Sequence, residues 1–267
     1  MNPGAAVGPG AGLAQTLRGL HRPGRPLVLP NAWDRDSARA VESAGFPAVA
    51  TSSAAMAESV GGHDGQVEGA RMLAAVARIA AAVAVPVTAD IERGYGLDPA
   101  ELVQRLAATG AVGCNIEDSD AATGRLVDAH EHGDLLRAVR AAAIAAGVDL
   151  VVNARIDTLL HPYGSMTQQL ADCVARARQY LAAGADCVYP FLLDDLDAVR
   201  SLVQRVDGPV NVLCTPRVSS LEALAKAGAA RISFGPALYR LSEAERPAAL
   251  KAIRAGVNPL RAQFASS

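Results

Sequence analysis

The sequence predicts a single-domain α/β protein, a (β/α)8 barrel of the TIM type, and three observations carry that expectation. Short apolar runs alternate with Ala/Leu-rich amphipathic stretches along the chain after its first dozen residues. Eight such runs occur, the number a closed barrel requires. The runs are almost continuously apolar, which implies burial on both faces, as in a parallel sheet. A doubly wound open sheet is the competing architecture. No Gly-x-Gly-x-x-Gly follows the first run, so dinucleotide binding has no support.

Taken in order, residues 1–12 are small residues, Pro and Gly, and read as a short disordered tail rather than a signal peptide. Residues 13–267 read as the barrel. Strands are expected at Leu27–Asn31, Ala48–Ser53, Val85–Glu92, Gly113–Asp118, Leu150–Asp157, Cys187–Phe191, Val210–Cys214 and Arg231–Gly235. Gly and Pro punctuate them, as in Gly45-Phe46-Pro47, Val85-Pro86, Gly110, Gly147, Gly184 and Gly228. Helical periodicity marks Gly69–Val83, Pro99–Thr109, Gln168–Ala183 and Leu196–Val206.

Composition narrows the function. With 267 residues, 51% of them hydrophobic, the chain can bury a large core without disulfides. A net charge of −2 and 4% aromatic residues argue against a nucleic-acid partner. Cys114, Cys173, Cys187 and Cys214 are widely spaced, so they read as reduced, mostly buried thiols of a cytoplasmic protein. No apolar run approaches the roughly 18 residues of a membrane span.

Polar residues concentrate where the strands end. The first strand runs into Asn31-Ala32-Trp33-Asp34, the second into Thr51-Ser52-Ser53 and the third into Asp90-Ile91-Glu92. The fourth ends in Asn115-Ile116-Glu117-Asp118 and the fifth in Asn153-Ala154-Arg155-Ile156-Asp157, while the seventh carries Asn211. In a barrel these ends meet on one face, where active sites are built. Asp90 and Glu92 are two apart on a strand and share a face. With Glu117 they make a carboxylate cluster that repels itself without a cation, and an all-oxygen donor set favours Mg²⁺ or Mn²⁺ over zinc. The alternative is that these acids cap helices or pair with Arg93 and Arg125. Arg155 suits a carboxylate clamp, or else an internal pair with Asp157. Hydroxyls and N–H groups of Thr51–Ser53 could hold an oxyanion, or cap the next helix. Gly94-Tyr95-Gly96 is a tight turn beside the acids, where Tyr95 either donates a hydrogen bond or packs.

Several of these segments together resemble the isocitrate lyase/phosphoenolpyruvate mutase superfamily. Asp90-Ile91-Glu92-Arg93-Gly94-Tyr95-Gly96 is similar to its acidic metal motif. The likeness continues through Gly113-Cys114-Asn115-Ile116-Glu117-Asp118, Asn153-Ala154-Arg155-Ile156-Asp157, Asn31-Ala32-Trp33-Asp34 and Ala44-Gly45-Phe46-Pro47-Ala48. The resemblance implies Asp90 as the main metal carboxylate, with Glu92, Glu117 and Asp64 holding metal-bound waters. Asp64 lies in Gly61-Gly62-His63-Asp64-Gly65, which also reads as a surface turn. It implies Arg155, Ser52 and Glu117 as catalytic groups. Thr51, Ser52, Ser53, Trp33, Asp90, Asn153, Arg155 and Asn211 are then the substrate-binding residues. The implied chemistry is stabilisation of the enolate of a small 2-oxo acid by Mg²⁺ or Mn²⁺. A homodimer or homotetramer is implied as well, with the final helical stretch, Pro236–Ala255, on the neighbouring subunit.

The sequence also departs from the family. Its lyases carry a Lys-Lys/Arg-Cys-Gly-His loop after the fourth strand, with the cysteine as acid/base. Here that region reads Ser119-Asp120-Ala121-Ala122-Thr123-Gly124-Arg125. The phosphonate enzymes have Asp-x-Asp where this chain has Asp90-Ile91-Glu92. His130 and His132, on the expected gating segment, and Cys214 are the substitute acid/base candidates, while Cys114 reads as core. Three functions stay open: a C–C bond lyase or decarboxylase, a phosphonopyruvate hydrolase or phosphoenolpyruvate mutase, and a 2-oxo-acid binding protein without turnover.

Overall fold

A computed structural model of the chain describes residues 10–120, 122–241 and 245–261. Its strands, in chain order, are β1 (Leu27–Leu29), β2 (Asn31–Ala32), β3 (Val49–Thr51), β4 (Val87–Asp90), β5 (Gly113–Glu117), β6 (Ser119–Asp120), β7 (Arg125–Leu126), β8 (Val151–Ile156), β9 (Cys187–Pro190), β10 (Asn211–Leu213) and β11 (Arg231–Ser233). The helices are α1 (Ala11–Gly19), α2 (Arg35–Ser43), α3 (Ser53–Ser59), α4 (Gly69–Ala80), α5 (Pro99–Ala108), α6 (Ala129–Ala145), α7 (Met166–Ala182), α8 (Leu196–Arg205), α9 (Leu221–Lys226), α10 (Ala237–Arg240) and α11 (Arg246–Arg254).

Parallel pairing closes the sheet on itself. One arc runs β2-β3-β4-β5-β8-β9 and the other β1-β11-β10. A parallel bridge between Val188 and Val210 joins β9 to β10. β1 and β2 are one strand interrupted at Pro30, which has no N–H to give the ladder. The result is the eight-stranded α/β barrel. Outside it, β6 and β7 form a small antiparallel hairpin.

The core has two parts. The larger cluster packs the outward side of the strands against the helices, with Val76, Ile79, Leu102, Leu106, Leu136 and Ile116 all nearly inaccessible. The smaller fills one end of the bore, where Ala14 and Leu17 of α1 meet Leu27, Leu29, Ala48, Ala50, Val112 and Val151. Arg18 on the same helix pairs with Asp149 at 2.6 Å and Asp186 at 2.8 Å, just before β8 and β9. α1 therefore lies across the N-terminal ends of the strands and leaves the C-terminal mouth open. It begins at Ala11, inside the stretch read as tail, and residues 1–9 lie outside the described residues.

Two boundaries differ instructively from the sequence reading. α7 starts at Met166 because Ser165 and Gln168 form a reciprocal capping box. α6 starts at Ala129 with Asp128 as its cap, so His132 is helical rather than in a loop. His132 is fully buried, edge-on to Tyr180 at 4.7 Å, which overturns its reading as an acid/base on the gating segment. Burial pushes its imidazole down to about 3, so it stays neutral. Among the described residues, no helix is long and apolar enough to cross a membrane.

Candidate active site

The strand ends of the C-terminal mouth supply the site. Asp90 ends β4, and its Oδ2 accepts hydrogen bonds from the Ser53 N–H at 3.1 Å and the Ser53 hydroxyl at 2.9 Å. Its own N–H is held by the Thr51 hydroxyl at 2.8 Å. Among the described residues no hydrogen bond reaches Asp90 Oδ1. Glu92 follows in a left-handed backbone conformation, φ 52°, which a side chain adopts only at a cost. Tyr95 does the same at φ 58°. Gly69 makes room for it: a Cβ there would sit 2.4 Å from the Tyr95 ring.

Glu117 ends β5 and meets Arg155 of β8 across one ladder step, with Nη1 to Oε2 at 2.7 Å. Arg155 Nε donates to Asp157 Oδ1 at 2.6 Å, and its guanidinium lies 4.0 Å over the Phe191 ring. Two carboxylates and one aromatic face thus fix the plane of a single buried guanidinium, while Nη2 meets no partner among the described residues. Burial works against that charge, but Asp157, Glu117 and Asp90 outweigh it and hold Arg155 ionised.

The carboxylates behave as a crowded set. Burial, then Asp64 and Asp90, pushes Glu92 up to about 7. Burial pushes Glu117 up to about 8 against the opposing pull of Arg155, with Asp157, Asp90 and Asp64 adding to the rise. Burial and the nearby Asp90 charge push the Asp64 carboxyl above its ordinary range. Asp64 itself is exposed, on the turn before α4. Glu92 Oε1 is buried without a hydrogen-bond partner. Beside the cluster opens a cavity of about 390 Å³ lined by Gly65, Val67, Glu92, Arg93, Tyr95 and Asp120 among others.

The alternative uses of these acids are filled by other groups. The helix caps are taken by Asp34, Ser52, Asp98, Asp128, Ser165, Asp195 and Ser220. Arg93 pairs with Glu131 at 2.8 Å and meets His132 Nδ1 at 2.9 Å.

Other candidates separate from the cluster. The Ser52 hydroxyl accepts from the Ala55 N–H at 3.3 Å as the cap of α3, so the serine on the acids is Ser53 and not Ser52. Trp33 is turned onto Tyr239 at 5.2 Å and Arg246 at 5.0 Å, on the flank between α2 and α10. Asn153 and Asn211 are inaccessible and lie in the bore beneath the mouth. Asn153 donates to Asn115 at 2.8 Å and Asn211 to Ser233 at 3.2 Å, and each keeps an unpartnered amide oxygen. Asp118 faces outward to Arg176 and Tyr180. All four cysteines are buried, and burial pushes Cys114 and Cys214 up to about 12, so neither thiol is poised for proton transfer. His161, which no sequence motif marks, also lies near the mouth, its Nε2 3.0 Å from the Ser119 hydroxyl.

An eight-stranded parallel barrel with a carboxylate cluster facing one buried arginine at its C-terminal mouth defines a class of barrel protein suited to small anionic ligands. Comparison with known proteins places the chain within that class. Residues 17–254 match the phosphoenolpyruvate phosphomutase family, and the chain belongs to it. An uncharacterized protein of Mycobacterium tuberculosis is 36% identical over 224 residues, covering 82% of this chain and 81% of its own. A Burkholderia cenocepacia structure provisionally named a phosphonomutase superposes with a TM-score of 0.83 at 38% identity, covering 92% of this chain and 99% of its own. The structure of 2,3-dimethylmalate lyase, a member of the PEP mutase/isocitrate lyase superfamily, does so at 0.76 and 31%, covering 92% and 89%.

Proposed function

We propose that the chain is a Mg²⁺-dependent enzyme, with Mn²⁺ as substitute, that acts on a small 2-oxo acid of the oxaloacetate type through its enolate. The observation that carries this is the buried Arg155, paired with Glu117 at 2.7 Å at the strand ends where Asp90 and Glu92 also lie. Asp90 Oδ1 and the unpartnered Glu92 Oε1 fit a hard divalent cation. No three His, Cys, Asp or Glu side chains among the described residues converge as direct ligands. Asp90 would therefore bind the ion, with Glu92, Glu117 and Asp64 acting through water, as Mg²⁺ prefers. When bound, the ion supplies Lewis-acid stabilisation of the enolate.

The residues of the chain do the rest. Arg155 receives the substrate carboxylate at its Nη2 edge. The Tyr95 hydroxyl, raised by burial and by Glu92, stays protonated and is left without a partner at the cavity edge. Lysis of a hydroxylated C–C bond needs a base to take the hydroxyl proton, and of the candidates Cys214 is buried with a high proton affinity, His132 is buried with a low one, and His130 lies exposed on α6. Decarboxylation needs none at the cleavage step, because CO₂ leaves without a proton. The site therefore favours the decarboxylase over the lyase. The 38% identity to the provisional phosphonomutase supports P–C bond chemistry as the second reading. Pyruvate release from oxaloacetate, with phosphonopyruvate untouched, is the expected result. Phosphate release from phosphonopyruvate selects the second reading, and oxalate binding without either turnover selects a binding protein. Sedimentation reads the expected homodimer or homotetramer.

The raised carboxyls make a second prediction. Glu92 and Glu117 lie above their unfolded range near 4.5, so the metal-free native state binds protons that the unfolded chain has released. Stability is then lost as pH rises through about 7 and 8. In chelator the urea midpoint should fall between about pH 5 and 8 and level off above, by up to about 1.4 kcal/mol per pH unit for each proton. Saturating Mg²⁺ should flatten that slope. A midpoint independent of pH in chelator would contradict the crowding of these acids.

A further inference from the structure

We propose that Ser119 and His161 are positioning residues for Arg155, which makes the segment after the fourth barrel strand a brace rather than an acid/base loop. This rests on the reading of Arg155 as the substrate-carboxylate clamp. Asp157 is inaccessible to solvent, so both of its carboxylate oxygens need partners. Oδ1 takes the Arg155 Nε–H at 2.6 Å and Oδ2 takes the Ser119 hydroxyl at 2.6 Å. A serine has one proton to give, and Ser119 gives it to Asp157. The 3.0 Å contact with His161 Nε2 must then run the other way, with the ring N–H donating to Ser119 Oγ. The direction fixes the His161 form: it carries a proton on Nε2.

The chain of contacts is continuous from His161 through Ser119, Asp157 and Arg155 to Glu117. The Asp157 carbonyl accepts from the Leu160 N–H at 2.8 Å and the His161 N–H at 3.2 Å, which folds the loop after β8 back over its own strand end. Asp157 N–H is fixed by Asp118 Oδ1 at 2.7 Å. The hairpin side is fastened too, since the Val127 N–H donates to the Asp118 carbonyl at 2.8 Å and Arg176 holds the Val127 carbonyl at 2.9 Å. Ser119 therefore sits where two strand ends are locked together, and it sets how Asp157 presents its oxygen to Arg155. His161 orients the Ser119 hydroxyl without needing to touch substrate.

The test uses the full chain with Mg²⁺ and oxalate as probe, together with the ¹⁵N–¹H signal of Arg155 Nε. Ser119→Ala and His161→Ala should each weaken oxalate about tenfold, the loss of one hydrogen bond to a charged group. His161→Gln should restore most of that loss, because its amide Nε2 donates as the ring does. The Arg155 Nε signal should be slowly exchanging in the wild type and in His161→Gln, and broadened in Ser119→Ala. If His161→Gln turns over oxaloacetate as poorly as His161→Ala while oxalate binding is unchanged in both, His161 is a proton-transfer group and the positioning role is overturned. An Arg155 Nε signal unaltered by Ser119→Ala overturns it as well. Failure of the wild type to bind oxalate would sink the proposed function, yet leave the Nε signal to judge the brace.

Discussion

Arg155→Met should unfold at least 3 kcal/mol more easily than the wild type, within the range of about 3–5 kcal/mol for breaking a buried ion pair. Two buried carboxylates depend on this one guanidinium, Glu117 at 2.7 Å and Asp157 at 2.6 Å. Removing it strands both in a site already crowded by Asp90 and Asp64. Part of the loss should be recovered by protonation, so the deficit should shrink as pH falls toward 6. Arg155→Lys should be intermediate, since a point charge can meet one carboxylate but not span two and still offer a fork to substrate. Urea unfolding at pH 8 and pH 6 measures both. A methionine variant of wild-type stability would mean that the arginine balances nothing in the fold.

Asp118→Ala should be the second large effect, about 3 kcal/mol, although this residue reaches Arg155 only through the Asp157 N–H. Asp118 accepts from Tyr180 Oη at 2.7 Å, from the Asp157 N–H at 2.7 Å and from Arg176 Nη1 at 3.1 Å, all out of solvent. Burial pushes its carboxyl up to about 6, so ionisation there is already costly and the three donors offset it. Alanine leaves those donors unpaired, the expensive half of a buried polar contact. Arg176 retains Asp172 at 2.9 Å, which keeps the loss at the lower end. Asp118→Asn should cost less, because an amide oxygen still accepts. Thermal unfolding with oxalate binding measured in parallel checks both points: stability falls while affinity changes by less than about tenfold. A loss below about 1 kcal/mol would contradict the account of this network.

The barrel and the residues of its mouth were legible because both are written in local pattern. Apolar runs ending in acids predict strands that deliver Asp90, Glu92, Glu117 and Arg155 to one rim, whatever the loops do. What each polar group does there was less legible, because hydrogen-bond partners are chosen in three dimensions. Ser52 and Ser53 are adjacent and chemically identical, yet one caps α3 and the other holds Asp90. Nothing in their order distinguishes them until the helix start is placed. His132 carried a readable signal, since with Leu136, Val139 and Ala143 it falls on the buried stripe of one helix. His161 carried none. Its partner is 42 residues away on another strand end, and only closure of the barrel brings them together.

The central claim, a cation-dependent 2-oxo-acid site built from Asp90 and Arg155, is tested most directly by titrating oxalate into the protein by calorimetry, with and without Mg²⁺. Oxalate mimics the enolate of pyruvate in charge and shape. The account predicts binding that requires Mg²⁺ and is lost in Asp90→Ala. Equal binding in Mg²⁺ and in chelator, or no binding in either, would contradict it.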